Sequence, residues 1–416
     1  MEKHILSIDL KSFFASCECV ERNIDPFKVP LVVANPKQGE GAITLAVTPY
    51  LKAQGVKSRG RLFEIHKNIK YYIVPPRMSL YIEYSKKVIS IYLDYIAKED
   101  LFVYSIDECF LDVTSYLKMY KKTDYELAMD ILKKIEEKTG LTATCGIGPN
   151  ILLAKVAMDI EAKLEKNGIA KWNFEDVKRK LWMIAPLSKM WGIGPRMEKK
   201  LNLLGIKSVG DIARYDKNKL KDLFGVMGLK LWEHANGIDN STIKEMNSYK
   251  PKDKSYSNSQ VLFKDYYRDN VGIIIKEMVE VVCRRLRANN KQACVIGLAI
   301  GYSKSIGGGF YHVMKLDAPT DSEKTILDGC FLLFERFYKG APIRKVGVSL
   351  GNLVNKNSVQ LSLFDKLEDL ELEDEKNKII DEIKKQFGKN SLVKASALLE
   401  DSTIKERNKK IGGHSA

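Results

Sequence analysis

The chain has 416 residues, and its 68 Lys and Arg against 53 Asp and Glu give a formal charge of +15 at pH 7. This length exceeds one ordinary hydrophobic core, so we expect several domains. The positive charge favours polyanionic partners, because basic side chains neutralise phosphates, but it does not distinguish DNA from RNA or from an acidic membrane surface.

The sequence argues against a secreted or membrane-embedded protein. It opens directly on a strand-like run, and no apolar run is long enough to cross a bilayer. Its seven cysteines form no CxxC pair, and none of its five histidines shares a metal-ligand spacing with a cysteine. We therefore expect a cytoplasmic protein with reduced cysteines, no structural zinc site and no membrane partner.

The first predicted element is a strand that ends in an acid. In the opening segment HILSIDLKSFFAS, an apolar run leads into Asp9. Further along, YSIDECFLDVT, residues 104–114, places Asp107 and Glu108 between two short apolar runs. Both flanks favour extended structure, so this segment predicts a β-hairpin with acids at its tip.

If the hairpin lies beside the first strand, three carboxylates meet at one edge of a sheet. Clustered carboxylates repel each other unless a hard divalent cation such as magnesium or manganese neutralises them. Two such ions activate a nucleophilic oxygen and stabilise a leaving one, which is the chemistry of phosphoryl transfer. The alternative is that solvated acids simply mark strand ends and turns.

Together, IDLKSFFAS and YSIDECFLD resemble the palm signatures of the Y family of translesion DNA polymerases, of the bacterial UmuC/DinB-like, ImpB/MucB/SamB type. The resemblance extends across almost the whole chain. It implies that Asp9, Asp107 and Glu108 are the catalytic acids and bind two Mg²⁺ ions, for which Mn²⁺ may substitute, with the Leu10 backbone carbonyl as a further ligand. The two Asp residues would bridge both ions, and the Glu would complete the ion nearer the primer 3′-hydroxyl.

The resemblance also implies an α+β multidomain fold, a right-hand polymerase with palm, fingers, a helical helix-hairpin-helix thumb and a C-terminal α+β little finger. The implied bounds are 1–23 and 80–168 for the palm, 24–79 for the fingers, 169–240 for the thumb, 241–255 for a linker, 256–359 for the little finger, 360–364 for a sliding-clamp binding motif and 365–416 for a C-terminal tail.

Two aromatic residues follow the first acid. Phe14 lies five residues after Asp9, where the family places a bulky side chain under the sugar of the incoming nucleotide as a steric gate against a 2′-hydroxyl. Phe13 is grouped with it as a nucleotide-binding residue. The alternative is that both are core residues at the start of a helix, an interpretation that suits Phe13 better.

Two further segments resemble the family's triphosphate contacts. In TPYLKAQGVKS, Lys52 matches the basic position, with Thr48 and Tyr50 as neighbouring candidates, whereas Pro49 stands where some relatives carry a Tyr. In the helical run LLAKVAMDIEAK, Lys163 matches a phosphate-binding lysine. The alternative for Lys163 is a solvated helix face, with Asp159 as a helper or a surface acid.

The segment KMWGIGPRMEKKLNLLG predicts a helix-hairpin-helix motif. A first helix should stop at Trp191, Pro195 should begin the second helix and Gly205 should end it. Glycines in the turn let backbone N–H groups approach a phosphate without reading sequence. The predicted DNA contacts here are Gly192, Gly194 and Arg196.

After a polar stretch, residues 240–259, that predicts an exposed tether, a basic region alternates helix and strand. The pattern predicts helices over 271–289 and 322–338 and strands over 293–302 and 343–350. It resembles the little finger, which grips duplex DNA, and a generic basic α+β module is the alternative. The predicted DNA contacts are Arg284, Arg285 and Arg287.

The pentapeptide QLSLF matches the bacterial sliding-clamp binding motif, in which a Gln and apolar residues dock in a groove. The implied contacts are Gln360, Leu361, Leu363 and Phe364; the alternative is a final edge strand. An acidic run over 365–375, a weakly amphipathic helix over 376–387 and a polar tail without an assigned function follow.

These features predict a template-directed, low-fidelity DNA polymerase for translesion synthesis, acting by two-metal nucleotidyl transfer without proofreading. Its partners would be primer-template DNA, deoxynucleoside triphosphates, the sliding clamp and accessory SOS proteins, with the chain itself a monomer. A clamp-tethered non-catalytic DNA-binding scaffold and a two-metal nuclease are the alternatives. The sequence leaves open the lesion specificity, the damage inducibility and the choice between the UmuC-like and DinB-like branches.

Overall fold

The computed structural model describes residues 3–251, 254–356 and 367–415. The chain divides into two compact units, residues 1–249 with 414–416 and residues 250–413. In these described ranges, no helix is both long and apolar enough to cross a membrane.

The first unit is a mixed α/β structure. Its elements in chain order are β1 (Ile5–Leu10), α1 (Phe13–Val20), β2 (Leu31–Val33), β3 (Ala46–Val47), α2 (Pro49–Ala53), β4 (Tyr72–Val74), α3 (Met78–Leu93), β5 (Leu101–Val103), β6 (Glu108–Asp112), α4 (Leu117–Tyr120), α5 (Asp124–Thr139), β7 (Ala143–Gly148), α6 (Ile151–Ala157), β8 (Ile169–Lys171), α7 (Asp176–Arg179), α8 (Pro195–Leu203), α9 (Val209–Arg214), α10 (Lys217–Phe224), α11 (Val226–Ala235) and α12 (Ile243–Ser248).

A five-stranded sheet in the order β5-β6-β1-β7-β8 forms the centre of this unit. Side chains alternate across β1, so Leu6 and Ile8 pack on one face against α3 and α5. On the other face, Ile5 packs with Phe110 and the first turn of α6. Asp9 shares this second face, because it is an even number of residues from Ile5. The predicted hairpin is confirmed, since β5 pairs antiparallel with β6.

A second, smaller sheet in the order β3-β2-β4 occupies the region predicted as fingers. Its core is small and includes Val32, Val47 and Leu51, all fully buried. Helix α2 begins with Pro49 at its first position, where the fixed φ of proline suits a helix start.

The helix-hairpin-helix prediction is confirmed in its second half and corrected in its first. Pro195 begins α8, and Gly205, with φ +79°, follows its end. The preceding helix is only a 3₁₀ turn, Leu187–Lys189, which stops short of Trp191. Met190 is already extended, with ψ 129°, so the chain leaves the helical region before the glycine turn.

The predicted tether over 240–259 is wrong in its first half. Residues 243–248 form α12, which begins with a capping box between Thr242 and Glu245. Ile243 is buried beside Ile5 and Phe110. Asn247 Nδ2 donates to the carbonyl of Leu101 at 2.9 Å. This segment is therefore an ordered part of the first unit.

The second unit is an antiparallel sheet with helices on one face. Its elements are β9 (Tyr256–Tyr266), α13 (Val271–Ala288), β10 (Lys291–Tyr302), β11 (Gly309–Thr320), α14 (Glu323–Phe337), β12 (Ile343–Gly351), β13 (Val354–Asn355), α15 (Leu367–Phe387), α16 (Ile404–Asn408) and β14 (Lys410–Ile411); β15 (His414–Ser415) follows it in the chain. The sheet order is β11-β10-β12-β9.

The predicted helices and strands of this unit are present, and β9 is an additional strand whose first four residues, 256–259, fall within the predicted tether. Apolar side chains of α13 and α14 pack on Ile296, Leu298, Val346 and Val348. These alternate residues of β10 and β12 define the helix-covered face of the sheet. The opposite face carries the residues between them.

The C-terminal tail is an integral part of the second unit, which sequence reasoning did not predict. Helix α15 begins at Leu367, nine residues before the predicted start. Buried Glu277 of α13 accepts hydrogen bonds from Ser402 Oγ at 2.7 Å and from the Thr403 N–H at 2.9 Å. The tail therefore satisfies a buried carboxylate of the domain core, whose isolation would be costly.

Candidate active site

The structure brings the three predicted acids together at one end of the central sheet. Asp9 of β1 lies directly opposite Glu108 of β6 in the antiparallel register. Asp107 precedes Glu108 in the β5–β6 turn, and its carbonyl accepts from the Leu10 N–H at 3.0 Å. Leu10 ends β1, so its own carbonyl belongs to the same edge. The hairpin tip and the strand end thus form one acidic edge.

Asp9 is held by a lysine from the segment after α6. Lys163 Nζ lies 3.1 Å from Asp9 Oδ2 and 2.8 Å from Asp159 Oδ1. Desolvation by burial raises the pKa of Asp9, the ammonium of Lys163 opposes that rise, and the charge of Asp107 adds to it. The pKa of Lys163 is raised because the two carboxylates outweigh its own desolvation. The carboxylate of Asp9 and the ammonium of Lys163 therefore stabilise each other's charged forms.

Glu108 is held by a second lysine, which sequence reasoning missed. Lys155 Nζ lies 2.8 Å from Glu108 Oε1 and 3.0 Å from Asp159 Oδ2. The Lys155 side chain is only 8% exposed. Burial raises the pKa of Glu108, and the Lys155 ammonium partly opposes this rise. A continuous chain of ion pairs therefore runs from Glu108 through Lys155, Asp159 and Lys163 to Asp9.

The sequence did contain a signal for this network. Lys155, Asp159 and Lys163 are spaced four residues apart, which places them along one face of a helix. In the structure, α6 continues as a π-helical turn over Met158–Ala162, and the spacing is retained. The alternation of charge along this face would have pointed to partners for both strand-end acids.

The donor chemistry of this edge suits a hard divalent cation, because it offers carboxylate and carbonyl oxygens and no sulfur. In the arrangement that the described residues adopt, no three His, Cys, Asp or Glu side chains converge as metal ligands. Lys155 and Lys163 instead neutralise Glu108 and Asp9. The donor atoms are therefore of the kind that binds a hard divalent cation. In the structure, the carboxylates of Asp9 and Glu108 are paired with lysine ammonium groups.

The residues predicted to contact the sugar divide into one core residue and one site residue. The side chain of Phe13 is 3% exposed and belongs to the central core, as the alternative interpretation of this residue expects. Phe14 is partly buried and stacks on Tyr81, with ring centroids 4.4 Å apart and an interplanar angle of 16°. The ring of Phe14 is therefore held on the side of α3, five residues after Asp9.

The predicted triphosphate contacts of the fingers also divide. Thr48 is fully buried, and its hydroxyl donates to the Val29 carbonyl at 2.8 Å, so its prediction as a phosphate contact is corrected. Tyr50 is 36% exposed. Desolvation lowers the pKa of Lys52, and the charges of Asp9 and Asp107 oppose this shift. Lys52 thus lies within electrostatic range of the acidic edge.

The predicted DNA contacts of the thumb lie on a solvent-accessible turn. Gly192 has φ +90°, and Gly194 immediately precedes α8. A Cβ at either glycine would meet no atom within 4 Å, so the turn is open on its outer side. Arg196 is exposed in the first turn of α8. These residues keep their proposed role.

The three arginines predicted to contact DNA in the second unit all belong to α13, on the helix-covered side of the sheet. Arg287 Nε donates to Asp381 Oδ2 at 2.7 Å, and its side chain is 10% exposed. It is therefore a structural arginine that anchors α15. Arg285 is exposed and donates to the Ser257 carbonyl at 2.9 Å, and Arg284 is half-buried.

The clamp-binding prediction, residues 360–364, lies outside the described residues.

The fold and this edge define a class of protein. A sheet that carries an acidic edge, with a small β domain, a helix-hairpin-helix segment and a separate α/β unit, is the architecture of a right-hand nucleotidyl polymerase. A solved Y-family DNA polymerase chimera of Dbh and Dpo4 has the same fold, with a TM-score of 0.65 and 22% identity, covering 85% of this chain and 99% of that one.

Comparison by sequence gives the family. Residues 8–159 match the impB/mucB/samB family, residues 175–206 match the helix-hairpin-helix motif of that family and residues 253–363 match its C-terminal domain. A putative UV-damage repair protein UvrX of Bacillus subtilis is 38% identical over 99% of this chain and 97% of its own length. DNA polymerase IV 2 of the same species is 34% identical over 99% of both chains. The chain belongs to the impB/mucB/samB family of Y-family DNA polymerases.

These comparisons confirm the predicted family and the α+β right-hand fold. They do not favour the scaffold or the nuclease, since the relatives are named as DNA polymerases.

Proposed function

We propose that this chain is a DNA-directed DNA polymerase that extends a primer in template-directed, low-fidelity translesion synthesis. The observation that carries the proposal is the β1–β6 register, which sets Asp9 opposite Glu108 beside Asp107, in a chain of this family. Asp9, Asp107, Glu108 and the Leu10 carbonyl would hold two Mg²⁺ ions, or Mn²⁺ in their place. These ions would supply charge neutralisation at the attacking and leaving oxygens of nucleotidyl transfer.

The lysines of the acidic edge have separate tasks in this mechanism. Lys155 is buried and keeps Glu108 in place through a 2.8 Å contact. Lys163 is more exposed, and its ammonium bridges Asp9 and Asp159. An incoming triphosphate would compete with Asp9 for this ammonium, while Asp159 keeps Lys163 at the edge. Lys52, and Tyr50 beside it, approach the same phosphates from the fingers.

The start of α1 offers a second set of phosphate ligands. Ser12, at φ 50° and ψ 41°, turns the chain between β1 and α1, and its side chain makes no capping hydrogen bond to the helix. Backbone N–H groups of a first helical turn bind anions well, because the helix dipole adds to their charge. This turn lies three residues after Asp9, so it suits the phosphates of a nucleotide bound at the acidic edge.

The second unit contributes a surface for the DNA backbone. The face of its sheet opposite the helices carries small residues on the central strands, among them Gly297, Ala299 and Gly347. The exposed Lys315 of the edge strand β11 and the exposed Lys345 of the central strand β12 lie on that face. The lysines would neutralise the charge of a phosphate backbone that lies on this face. We assign DNA contact to this face in place of α13.

The QLSLF segment at 360–364 supports a further proposal, docking on a sliding clamp through Gln360, Leu361, Leu363 and Phe364. Accessory SOS proteins are proposed as additional partners. The protein is proposed to act in the cytoplasm as a monomer, because one chain would supply all of the residues named above.

Primer extension with purified protein, Mg²⁺ and the four deoxynucleotides tests the proposed function. Two templates are compared, one intact and one with an abasic site in the path of synthesis. We expect extension past the abasic site and loss of that extension in the Asp107→Ala protein. Full extension on the intact template with a stop at the abasic site on the other would contradict translesion synthesis, and cleavage of the primer without extension would favour a nuclease.

Phe14→Ala should admit ribonucleotides. Removal of the ring opens space for a 2′-hydroxyl, and forcing extra atoms into a packed site costs about 1–3 kcal/mol. Discrimination between dCTP and CTP, measured as the ratio of kcat/KM values, should therefore fall by about tenfold to about a hundredfold. Phe27→Ala is a suitable control, because Phe27 is 45% exposed and lies outside the site. Unchanged sugar selection in Phe14→Ala would remove the gate from this residue.

A further inference from the structure

Glu18 is a buried carboxylate one helical turn after Phe14. Its side chain is fully buried on α1, and the proposed chemistry does not use it. Arg77 Nε and Nη2 donate to its two oxygens at 3.0 and 2.8 Å. Arg22, four residues further along α1, also donates to it. A buried carboxylate is costly unless it is paired, so this site is built around its charge.

The same carboxylate fixes the ring on which the proposed gate rests. The hydroxyl of Tyr81, a fully buried residue of α3, donates to Glu18 Oε1 at 2.8 Å. The ring of Tyr81 then stacks on Phe14 at 4.4 Å. Phe13 closes the cluster, with its ring edge-on to Tyr81 at 6.4 Å. Phe14 and Glu18 are thus linked twice, through α1 and through Tyr81.

The charge state of Glu18 agrees with this geometry. Burial raises the pKa of the Glu18 carboxyl, whereas hydrogen bonds from Arg77, Tyr81 and Arg22 lower it. The hydrogen bonds together have the larger effect, so the pKa lies below its usual value. The group therefore remains an acceptor for the Tyr81 hydroxyl. The position of the Tyr81 ring is set by a charge-assisted hydrogen bond, which is shorter and stronger than one between neutral groups.

We infer that Glu18 is a positioning residue for sugar selection, because it anchors Tyr81 through its hydroxyl and so fixes the ring of Phe14 against the nucleotide sugar. This inference rests on the proposed role of Phe14 as steric gate. Glu18 touches no substrate in this scheme. Its effect should appear in the ratio of ribonucleotide to deoxynucleotide use, because a ring that is free to shift excludes a 2′-hydroxyl less strictly.

The two helices provide a matched control. Tyr84 lies one turn after Tyr81 on α3, and its hydroxyl donates to Glu21 Oε1 of the segment after α1 at 2.8 Å. This is the same pair of residue types at the same distance between the same two parts of the chain. The ring that stacks on Phe14 is that of Tyr81 and not that of Tyr84. Tyr84→Phe therefore removes a tyrosine–glutamate hydrogen bond of the same length, here to the exposed Glu21, without loosening the gate.

The experiment measures kcat/KM for dCTP and CTP with wild type, Tyr81→Phe, Glu18→Gln, Tyr84→Phe and Phe14→Ala, with thermal melting of each protein. Tyr81→Phe keeps the stacked ring and removes only its anchor. We expect discrimination to fall by about fivefold in Tyr81→Phe and in Glu18→Gln, the range of one hydrogen bond, and to stay at the wild-type value in Tyr84→Phe.

The outcomes separate this inference from the proposed function. If Phe14→Ala admits CTP while Tyr81→Phe and Glu18→Gln keep wild-type discrimination, Glu18 has a structural role only and the inference is wrong. If Tyr84→Phe loses discrimination as much as Tyr81→Phe, the effect is general loosening of the two helices, which also overturns it. If Phe14→Ala itself leaves sugar selection unchanged, the proposed role of Phe14 as steric gate is wrong, and the inference about Glu18 is wrong with it.

Discussion

The Asp107→Ala protein should add nucleotides at least about 10³-fold more slowly than wild type while it binds primer-template DNA with unchanged affinity. Asp107 belongs to the turn between β5 and β6, and its carboxylate accepts from the Ser105 hydroxyl at 2.6 Å. Among the described residues, its side chain forms no buried ion pair. Stabilisation of transition-state charge by a bound metal amounts to several kcal/mol, and each 1.36 kcal/mol is tenfold in rate.

Single-turnover primer extension and a fluorescence-anisotropy titration of DNA measure the two quantities separately. Asp112→Asn is the matched control, because Asp112 ends the same strand β6 and its carboxylate accepts a local hydrogen bond from the Thr114 N–H at 3.1 Å. It should keep wild-type activity. Synthesis that survives in Asp107→Ala would remove this carboxylate from the catalytic set, and lost DNA affinity would show that the variant is misfolded.

The acidic edge could be predicted from the sequence because its determinants are local. The apolar run before Asp9 and the two runs around Asp107 and Glu108 each favour a strand by their own composition. Only the pairing of β1 with β6 is a long-range event, and the family resemblance supplied it. The little-finger helices and strands were predicted for the same reason, since their hydrophobic periodicities are clear.

The errors concern side chains whose surroundings are set by distant parts of the chain. Thr48 stands beside a basic segment, but its hydroxyl turns inward to the Val29 carbonyl. Arg287 lies in a basic run, yet its partner Asp381 is 94 residues further on. Periodicity reports which face of a helix a residue occupies, not what covers that face. Sequence reasoning therefore did not predict that the tail covers part of α13.

The tether over 240–259 was predicted from composition, although a more specific local signal was present. Thr242 and Glu245 are spaced as a capping box, and the apolar Ile243 follows the cap. Such a box outweighs a polar composition, because it satisfies the first N–H groups of a helix directly. Lys155 was missed for a different reason: as one lysine within an apolar helix, it carries no signal until it is aligned with Asp159 and Lys163.

Lys155→Met should lower both stability and activity, since it leaves the buried Glu108 without its ion-pair partner and leaves Asp159 paired with Lys163 alone. The Lys155 side chain is 8% exposed and contacts Glu108 and Asp159 at 2.8 and 3.0 Å. Loss of one partner from a buried ion pair costs about 3–5 kcal/mol. Met keeps the length of the side chain, so the cost reflects charge and not a cavity. Unfolding by urea, followed by circular dichroism, measures the change in free energy of unfolding.

Lys133→Met is the control for Lys155→Met, because it removes a lysine from an exposed ion pair and not from a buried one. Lys133 pairs with Glu137 on α5 at 3.7 Å, with both side chains more than half exposed, and such surface pairs contribute about 0–1 kcal/mol. A second variant, Lys155→Met with Asp159→Asn, also removes the charge of Asp159, which Lys163 alone would still pair, and should recover part of the stability. Activity should stay low in that double variant, because Glu108 still lacks the contact that holds it. Recovery of activity together with stability would show that Lys155 supports the fold alone and does not position Glu108.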